Sequence, residues 1–195
     1  KNESTGGVGN FDPVGGGVFA FILAAGEATA TLDLQFNTIV DNVADEGAAG
    51  IELETFTDFD IYGGAEEGLA VLEVSNSIIA NPTGTFGIGG PNPGAGTSNR
   101  DVSAIAYNDV FDHTQNYETW VQDRTGQDGN VSADPALGAF PSYIPGTCSP
   151  TIDAGDPAVD VGLEPAPNGD RINIGHTGGT ASAAISLADP SGDNA

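Results

Sequence analysis

The feature that most constrains this chain is a pair of short segments that return in the same order at slightly irregular intervals. Asn37-Thr38-Ile39-Val40-Asp41-Asn42 recurs 39 residues later as Asn76-Ser77-Ile78-Ile79-Ala80-Asn81, and after 32 more, loosely, as Asn108-Asp109-Val110-Phe111-Asp112-His113. Keeping step with it, Gly17-Val18-Phe19-Ala20 is followed after 33 residues by Gly50-Ile51-Glu52-Leu53, and after 37 more by Gly87-Ile88-Gly89. Two elements recurring together specify a repeat architecture, in which each unit buries its apolar face against the next.

Between these markers apolar and polar residues alternate, as in Leu32-Asp33-Leu34-Gln35-Phe36 and Ile51-Glu52-Leu53-Glu54, the pattern of strands with one buried face. With 29 glycines and 12 prolines, no long segment keeps helical spacing, so the chain reads as all-β. Units of this length with two or three short strands admit a parallel β-helix, a propeller or a sandwich of meanders. Asparagine at equivalent bends favours the first, because stacked side-chain amides satisfy backbone groups that a tight inward turn leaves without partners. Asn37, Asn76 and Asn108 are the expected ladder.

Three rungs follow, at about residues 14–42, 48–81 and 84–113, the third carrying a Gly/Pro/Asn insertion from Gly89 to Asn99. Residues 1–13 are a lead-in, residues 14–114 the rungs, and residues 115–195 a loop-rich cap over the end of the solenoid, with one strand-like segment at Arg171-Ile172-Asn173-Ile174. With the first rung opening at about residue 14, the opposite end is expected to lack a cap of its own. Its free rung edge is expected to self-associate, in the extreme case stacking copies end to end into a filament.

Charge narrows the partners. Against 28 acidic residues stand 4 basic ones, a formal net charge of −24 that repels nucleic acid and anionic membrane surfaces. No apolar run approaches the ~20 residues of a membrane span. Acidic polysaccharides are repelled as well unless divalent cations bridge them. Depletion of lysine fits an extracellular or cell-surface setting, or serves solubility alone. The single cysteine, Cys148, forms no intrachain disulfide and reads as a small buried residue.

The C-terminal segment then becomes familiar. Asn130-Val131-Ser132-Ala133-Asp134-Pro135, Ser149-Pro150-Thr151-Ile152-Asp153-Ala154-Gly155-Asp156-Pro157 and Glu164-Pro165-Ala166-Pro167-Asn168-Gly169-Asp170-Arg171-Ile172-Asn173-Ile174-Gly175, ending in Gly178-Gly179-Thr180, resemble the C-terminal signature of a large group of bacterial right-handed parallel β-helix proteins. The resemblance spans roughly residues 14–186 and implies that fold, with about three rungs and an irregular C-terminal cap, in a secreted or surface-anchored chain. It implies no single function, since the wider superfamily holds adhesins, autotransporter passengers, polysaccharide lyases and glycosidases. This chain has His176-Thr177 where the group has Ala-Tyr, so an aromatic contact is missing or taken over by imidazole.

Catalytic chemistry finds little support in the residues. A lyase of this fold needs a basic proton abstractor, and the whole supply is Lys1, Arg100, Arg124 and Arg171, none framed by strand-borne acids. A glycosidase needs two facing carboxylates, for which no recognised motif stands out. Neither His113 nor His176 has metal-ligand spacing. The chain is therefore expected to be a structural, adhesive or binding surface, the alternative being the terminal part of a carbohydrate-active β-helix.

Two acidic groups remain as candidate sites. If Ile51 and Leu53 point inward, Glu52, Glu54, Asp58 and Asp60 share an outer face with Phe56 and Tyr62, suited to calcium or to carbohydrate stacking, or simply to water. Asp153, Asp156, Asp160 and Asp170 are loop carboxylates that either wrap an irregular calcium site or fix turns and pair with Arg171. Trp120, with Tyr117 nearby, anchors the loop after the third rung or offers an aromatic platform.

Overall fold

The computed structural model describes residues 3–4, 17–22, 28–44, 47–55, 69–80, 83–89 and 100–187. Among them no helix occurs and every strand pairing is parallel. Phe56, Asp58, Asp60 and Tyr62, the side chain of Glu54 and nearly all of the Gly89–Asn99 insertion lie outside the described residues.

After β1 (Glu3–Ser4), the chain visits three sheets in a fixed order. The first circuit is β2 (Val18–Ile22), β3 (Thr29–Gln35) and β4 (Thr38–Val40), followed by the short β5 (Val43–Ala44). The second is β6 (Ala48–Thr55), β7 (Leu69–Ser75) and β8 (Ile78–Ala80). The third is β9 (Phe86–Gly89), β10 (Arg100–Asp101) with β11 (Ile105–Ala106), and β12 (Asp109–Phe111). β13 (Gln115–Tyr117) opens a fourth, joined by a parallel bridge from Val131 to Asp109. The sheets are accordingly β2-β6-β9-β13, β3-β7 with β10 and β11 on the far side of β7, and β4-β8-β12.

Register stacks like on like. Val18, Ile51, Ile88 and Tyr117 form one row, Leu34, Val74 and Ile105 another, and Ile39, Ile79 and Val110 a third. These rows meet in the main core, where Ile51, Leu53, Leu72, Val74, Ile79, Ile88, Ile105 and Val110 are fully buried. The period-two reading of the longer strands holds, with β7 alternating between half-buried and buried along its length.

The glycine repeat falls in true register, because Val18 faces Ile51 and Ile51 faces Ile88. Gly17, Gly50 and Gly87 thus form a column packed against the Ile39–Ile79–Val110 row, where a β-carbon has no space. The asparagine repeat is out by one residue. Thr38 pairs with Ile78 and Ile78 with Asp109, which aligns Asn37 with Ser77 and Asn108 and moves Asn76 into the column of Phe36 and Tyr107. Those three residues have φ of 55°, 50° and 56°, and Gly129 continues the column at 75°. Asparagine tolerates the left-handed region, so it serves equally well one residue before the ladder.

The ladder therefore runs through Asn37, Ser77, Asn108 and Asn130. Asn37 N–H donates to Ser77 Oγ at 3.0 Å, Ser77 N–H to Asn108 Oδ1 at 3.0 Å, and Asn108 N–H to Asn130 Oδ1 at 3.0 Å. Each step satisfies a backbone donor that the bend removes from the sheets.

Of the C-terminal segment, residues 115–131 lie at the β13 end of the stack, where Val121 joins the main core. Past Val131 the chain turns back and lies along the β4-β8-β12 sheet, touching each circuit in turn. Tyr143 OH donates to Asp41 at 3.1 Å, Asp156 N–H to Asn76 Oδ1 at 2.8 Å, and the Arg171 guanidinium sits 5.8 Å from the Tyr107 ring centre. Gly175 N–H reaches Asn76 O at 2.8 Å and His176 N–H reaches Thr38 Oγ1 at 3.1 Å. The reason lies in the sheet it covers. Its outer side carries Val40, Ile78, Ala80 and Phe111, an apolar strip that Leu137, Tyr143, Ala154 and Ile174 remove from water. Strands buried on both faces lose the alternation, which is why Thr38-Ile39-Val40 and Ile78-Ile79-Ala80 read as short apolar runs.

Candidate functional site

The left-handed column is what positions this strap. A residue with positive φ turns its side chain out of the stack, and Phe36, Asn76 and Tyr107 offer the strap three successive footholds. Phe36 lies against Gly178, Asn76 receives Asp156 N–H beside Gly155, and Tyr107 lies beneath Arg171. Arg171 directs its hydrogen bonds to the carbonyls of Gly155 and Ala154 rather than to the aspartates expected to pair with it.

The four loop aspartates do not converge. Among the described residues no three His, Cys, Asp or Glu side chains form a group able to hold a metal ion, so the calcium alternative for Asp153, Asp156, Asp160 and Asp170 gains no support. Each serves its own turn or contact. Asp156 Oδ1 accepts from Ala158 N–H and Asp160 Oδ1 from Gly162 N–H, Asp153 Oδ2 accepts from Ser186 Oγ at 2.6 Å, and Asp170 N–H donates to Asn168 Oδ1. Short acidic side chains capping the backbone two residues on are the ordinary means of fixing loops without regular structure.

The acidic outer face expected around Glu52 is corrected at that residue. Glu52 does point away from the main core, yet it is only 1% exposed. Its Oε2 accepts from Ala48 N–H at 2.8 Å, and Gly47, at φ 73°, leaves the space that the carboxylate fills. Glu52 thus closes the bend into β6 and is not open to a ligand. Cys148, expected inside, is exposed.

Open concave surface lies at the other end of the same sheet. Gln115, Tyr117, Glu118, Gln122, Asp123 and Thr125 help line a cleft of about 390 Å³. β13 supplies one wall, and a turn stabilised by Val121 N–H to Glu118 O supplies another. Trp120 packs against the main core and donates its indole N–H to Glu118 Oε2 at 2.7 Å, so the expected anchor also orients a carboxylate. Asp123 accepts from Thr125, backbone and side chain, which holds its carboxyl below the usual range. Tyr117 is 6% exposed and its hydroxyl is buried without a protein partner. Burial, then the nearby Asp123 and Asp109 charges, push the phenol upward, so it stays protonated at physiological pH.

A second cleft, of about 310 Å³, lies at the first circuit between Val18, Ile39 and Val40 on one side and Phe140 and Tyr143 on the other. Phe140 is 77% exposed and meets Tyr143 edge to face at 6.0 Å.

Sequence reasoning passed over Glu118, Asp109, Asn130 and Glu164. Glu164 is visible in hindsight as the first residue of the Glu-Pro-Ala-Pro-Asn-Gly segment. Its Oε1 accepts from Asn173 N–H at 2.8 Å and Gly179 N–H at 2.7 Å, tying the start of that segment to the turns that follow it. Asp109 carries no sequence signal beyond its place in a loose repeat. No family model, curated protein or solved structure matches this chain.

Proposed function

We propose that the chain is a right-handed parallel β-helix module of a secreted or cell-surface protein, related to the bacterial group its C-terminal segment resembles, and that it works as a non-catalytic binding surface. Support for the fold comes from the three sheets entered in the same order with parallel pairing throughout. Parallel crossover connections are right-handed in about 98% of cases, which favours the right hand.

The observation that carries the function is the cleft beside Trp120. It mixes amide donors and acceptors with carboxylates and hydroxyls, from Gln115, Asn116, Glu118, Thr119, Gln122, Asp123 and Thr125. Such a lining suits a neutral carbohydrate, whose hydroxyls both donate and accept. The non-catalytic part is supported by the way described charges are spent. Arg171 binds carbonyls, Arg124 reaches toward Val102 O, and the strap aspartates cap turns or bond a serine.

Trp120 is the only tryptophan, so its emission reports on the cleft. Titration with neutral cello-, xylo- and malto-oligosaccharides is expected to give a saturable change with at least one of them, weakened about tenfold, or ~1.4 kcal/mol, by Glu118→Gln. The same mixtures should release no new reducing ends. A steady rise in reducing ends would replace this reading with that of a carbohydrate-active enzyme.

End-to-end stacking is a second reading, favoured by the edge positions that β2, β3 and β4 hold in their sheets among the described residues. Sedimentation at increasing concentration should then show growing species. A constant monomer mass rejects it.

A further inference from the structure

The strap begins on a carboxyl group in an unusual place. Asp109 stands on the outer side of β12, in line with Ile78 and Thr38, and is completely buried. Its Oδ1 accepts from Ala133 N–H at 3.1 Å, while Oδ2 is buried with no partner. Its own backbone bridges to Val131, so one residue holds the chain on both sides of the turn that launches the strap. A carboxylate desolvated this far and given a single donor is poorly stabilised as an anion.

We propose that Asp109 is the latch of a pH-sensitive clasp: neutral, it locks residues 131–136 onto β12, and ionised, it loosens that turn and frees the strap to lift from the apolar strip of Val40, Ile78, Ala80 and Phe111. Charged and titratable groups around the latch point the same way. From the strap side Asp134 adds a like charge, from β13 Tyr117 offers only a neutral phenol, and β8 presents Ile78. Burial first, then Asp134, against the opposing Ala133 N–H, push the Asp109 carboxyl up to about 7.

The sign follows from linkage. A carboxyl that keeps its proton in the closed state, while the open state ionises at an ordinary value near 3.8, favours closure in acid. That advantage drains away as pH rises from about 4 to about 7 and is then gone. His113 opposes it in part of the window. Its imidazole, pushed down by burial, disfavours the folded state once pH falls below the ordinary histidine value near 6.5. Asp101 and Asp123, both held below the usual carboxylate range, matter only under about pH 4.

Hydrogen exchange of the intact chain at pH 5 and pH 8, corrected for intrinsic rates, tests the clasp. Amides of residues 131–136 should open on the order of 100-fold more readily at pH 8, with a midpoint near 7. Asp109→Asn, neutral at every pH, should abolish the rise and leave only the His113 slope in acid. Asp134→Asn, an exposed change that leaves the latch in place, should move the midpoint down. Equal protection at both pH values in the unaltered chain overturns the proposal, as does a midpoint that ignores Asp134→Asn. Ser132 accepts from Asn116 at the cleft wall, but Asp109 is not part of the cleft lining, so sugar binding that survives Asp109→Asn and a pH response that survives Glu118→Gln keep the two readings separate.

Discussion

Asn108→Ala should lower unfolding stability by about 4 kcal/mol, among the largest effects of any single polar substitution in the chain. The side chain is completely buried and works in both directions. Its Oδ1 accepts from Ser77 N–H, and its amide donates to Val74 O at 2.8 Å, Ala106 O at 3.0 Å and Asn130 Oδ1 at 3.1 Å. Truncation leaves several of these groups buried without partners, at about 1–3 kcal/mol each where water cannot enter. Asn108→Asp separates the two directions. It can still accept from Ser77, but it offers nothing to the carbonyls and sets a carboxylate against Asn130 Oδ1. It should therefore be no more stable than the alanine variant at neutral pH. Asn37→Ala provides the contrast, since that side chain makes one exposed-side bond to Gln35 O and its loss should cost under about 1 kcal/mol. Urea unfolding of the three variants checks the ranking. Equal losses for Asn37 and Asn108 would mean that the ladder does not carry its load at the buried positions.

How far the sequence revealed this fold depends on what each repeat was made of. The glycine column was legible in register because glycine there answers one demand, the absence of a β-carbon against the isoleucine row, and no neighbour could substitute for it. The asparagine repeat was legible as a repeat but slipped by one residue. Two adjacent positions in every bend, one left-handed and one in the ladder, accept asparagine, and Ser77 fills the ladder place between Asn37 and Asn108. A slip of one residue exchanges inside for outside, so it hid the outward role of Asn76 as a foothold for Asp156.

The strap was recognisable as a motif but not as a lateral cover. Its partners lie far away in sequence, as with His176 and Thr38, 138 residues apart, and local pattern carries no such information. Glu52 shows the same limit on a smaller scale. Alternation correctly turned it away from the core, but burial depends on what lies over that face, and no period of two reports that. Asp109 is the extreme case, an ionisable residue at an apolar row position whose consequence appears only once the strap closes over it.

Gly50→Val should destabilise the chain by about 3 kcal/mol or more, and Gly50→Ala by a smaller amount of the same sign. A β-carbon at Gly50 falls on Gly87 O and Ile79 Cγ2, atoms of the next circuit and of the innermost row. Neither can yield alone, because Gly87 is itself hemmed in: a β-carbon placed on it would fall 2.6 Å from Val110 Cγ1 and 2.7 Å from Asn116 O. Overpacking of this kind typically costs about 1–3 kcal/mol for a single added group, and valine adds two more carbons. The opposing effect is known in size. Replacing glycine by alanine removes unfolded-state freedom and gains about 0.4–1 kcal/mol where the native conformation permits it, so sterics must exceed that before a loss appears. Gly126→Ala isolates the backbone contribution, since a β-carbon there meets nothing within 4 Å and only its φ of 76° resists the change. That variant should lose about 1 kcal/mol. If Gly50→Ala and Gly126→Ala proved equally harmful in urea, the column would be a conformational preference and not a packing seam. If Gly50→Val fell well below both, circuit-to-circuit contact would be confirmed as what fixes the spacing of the stack.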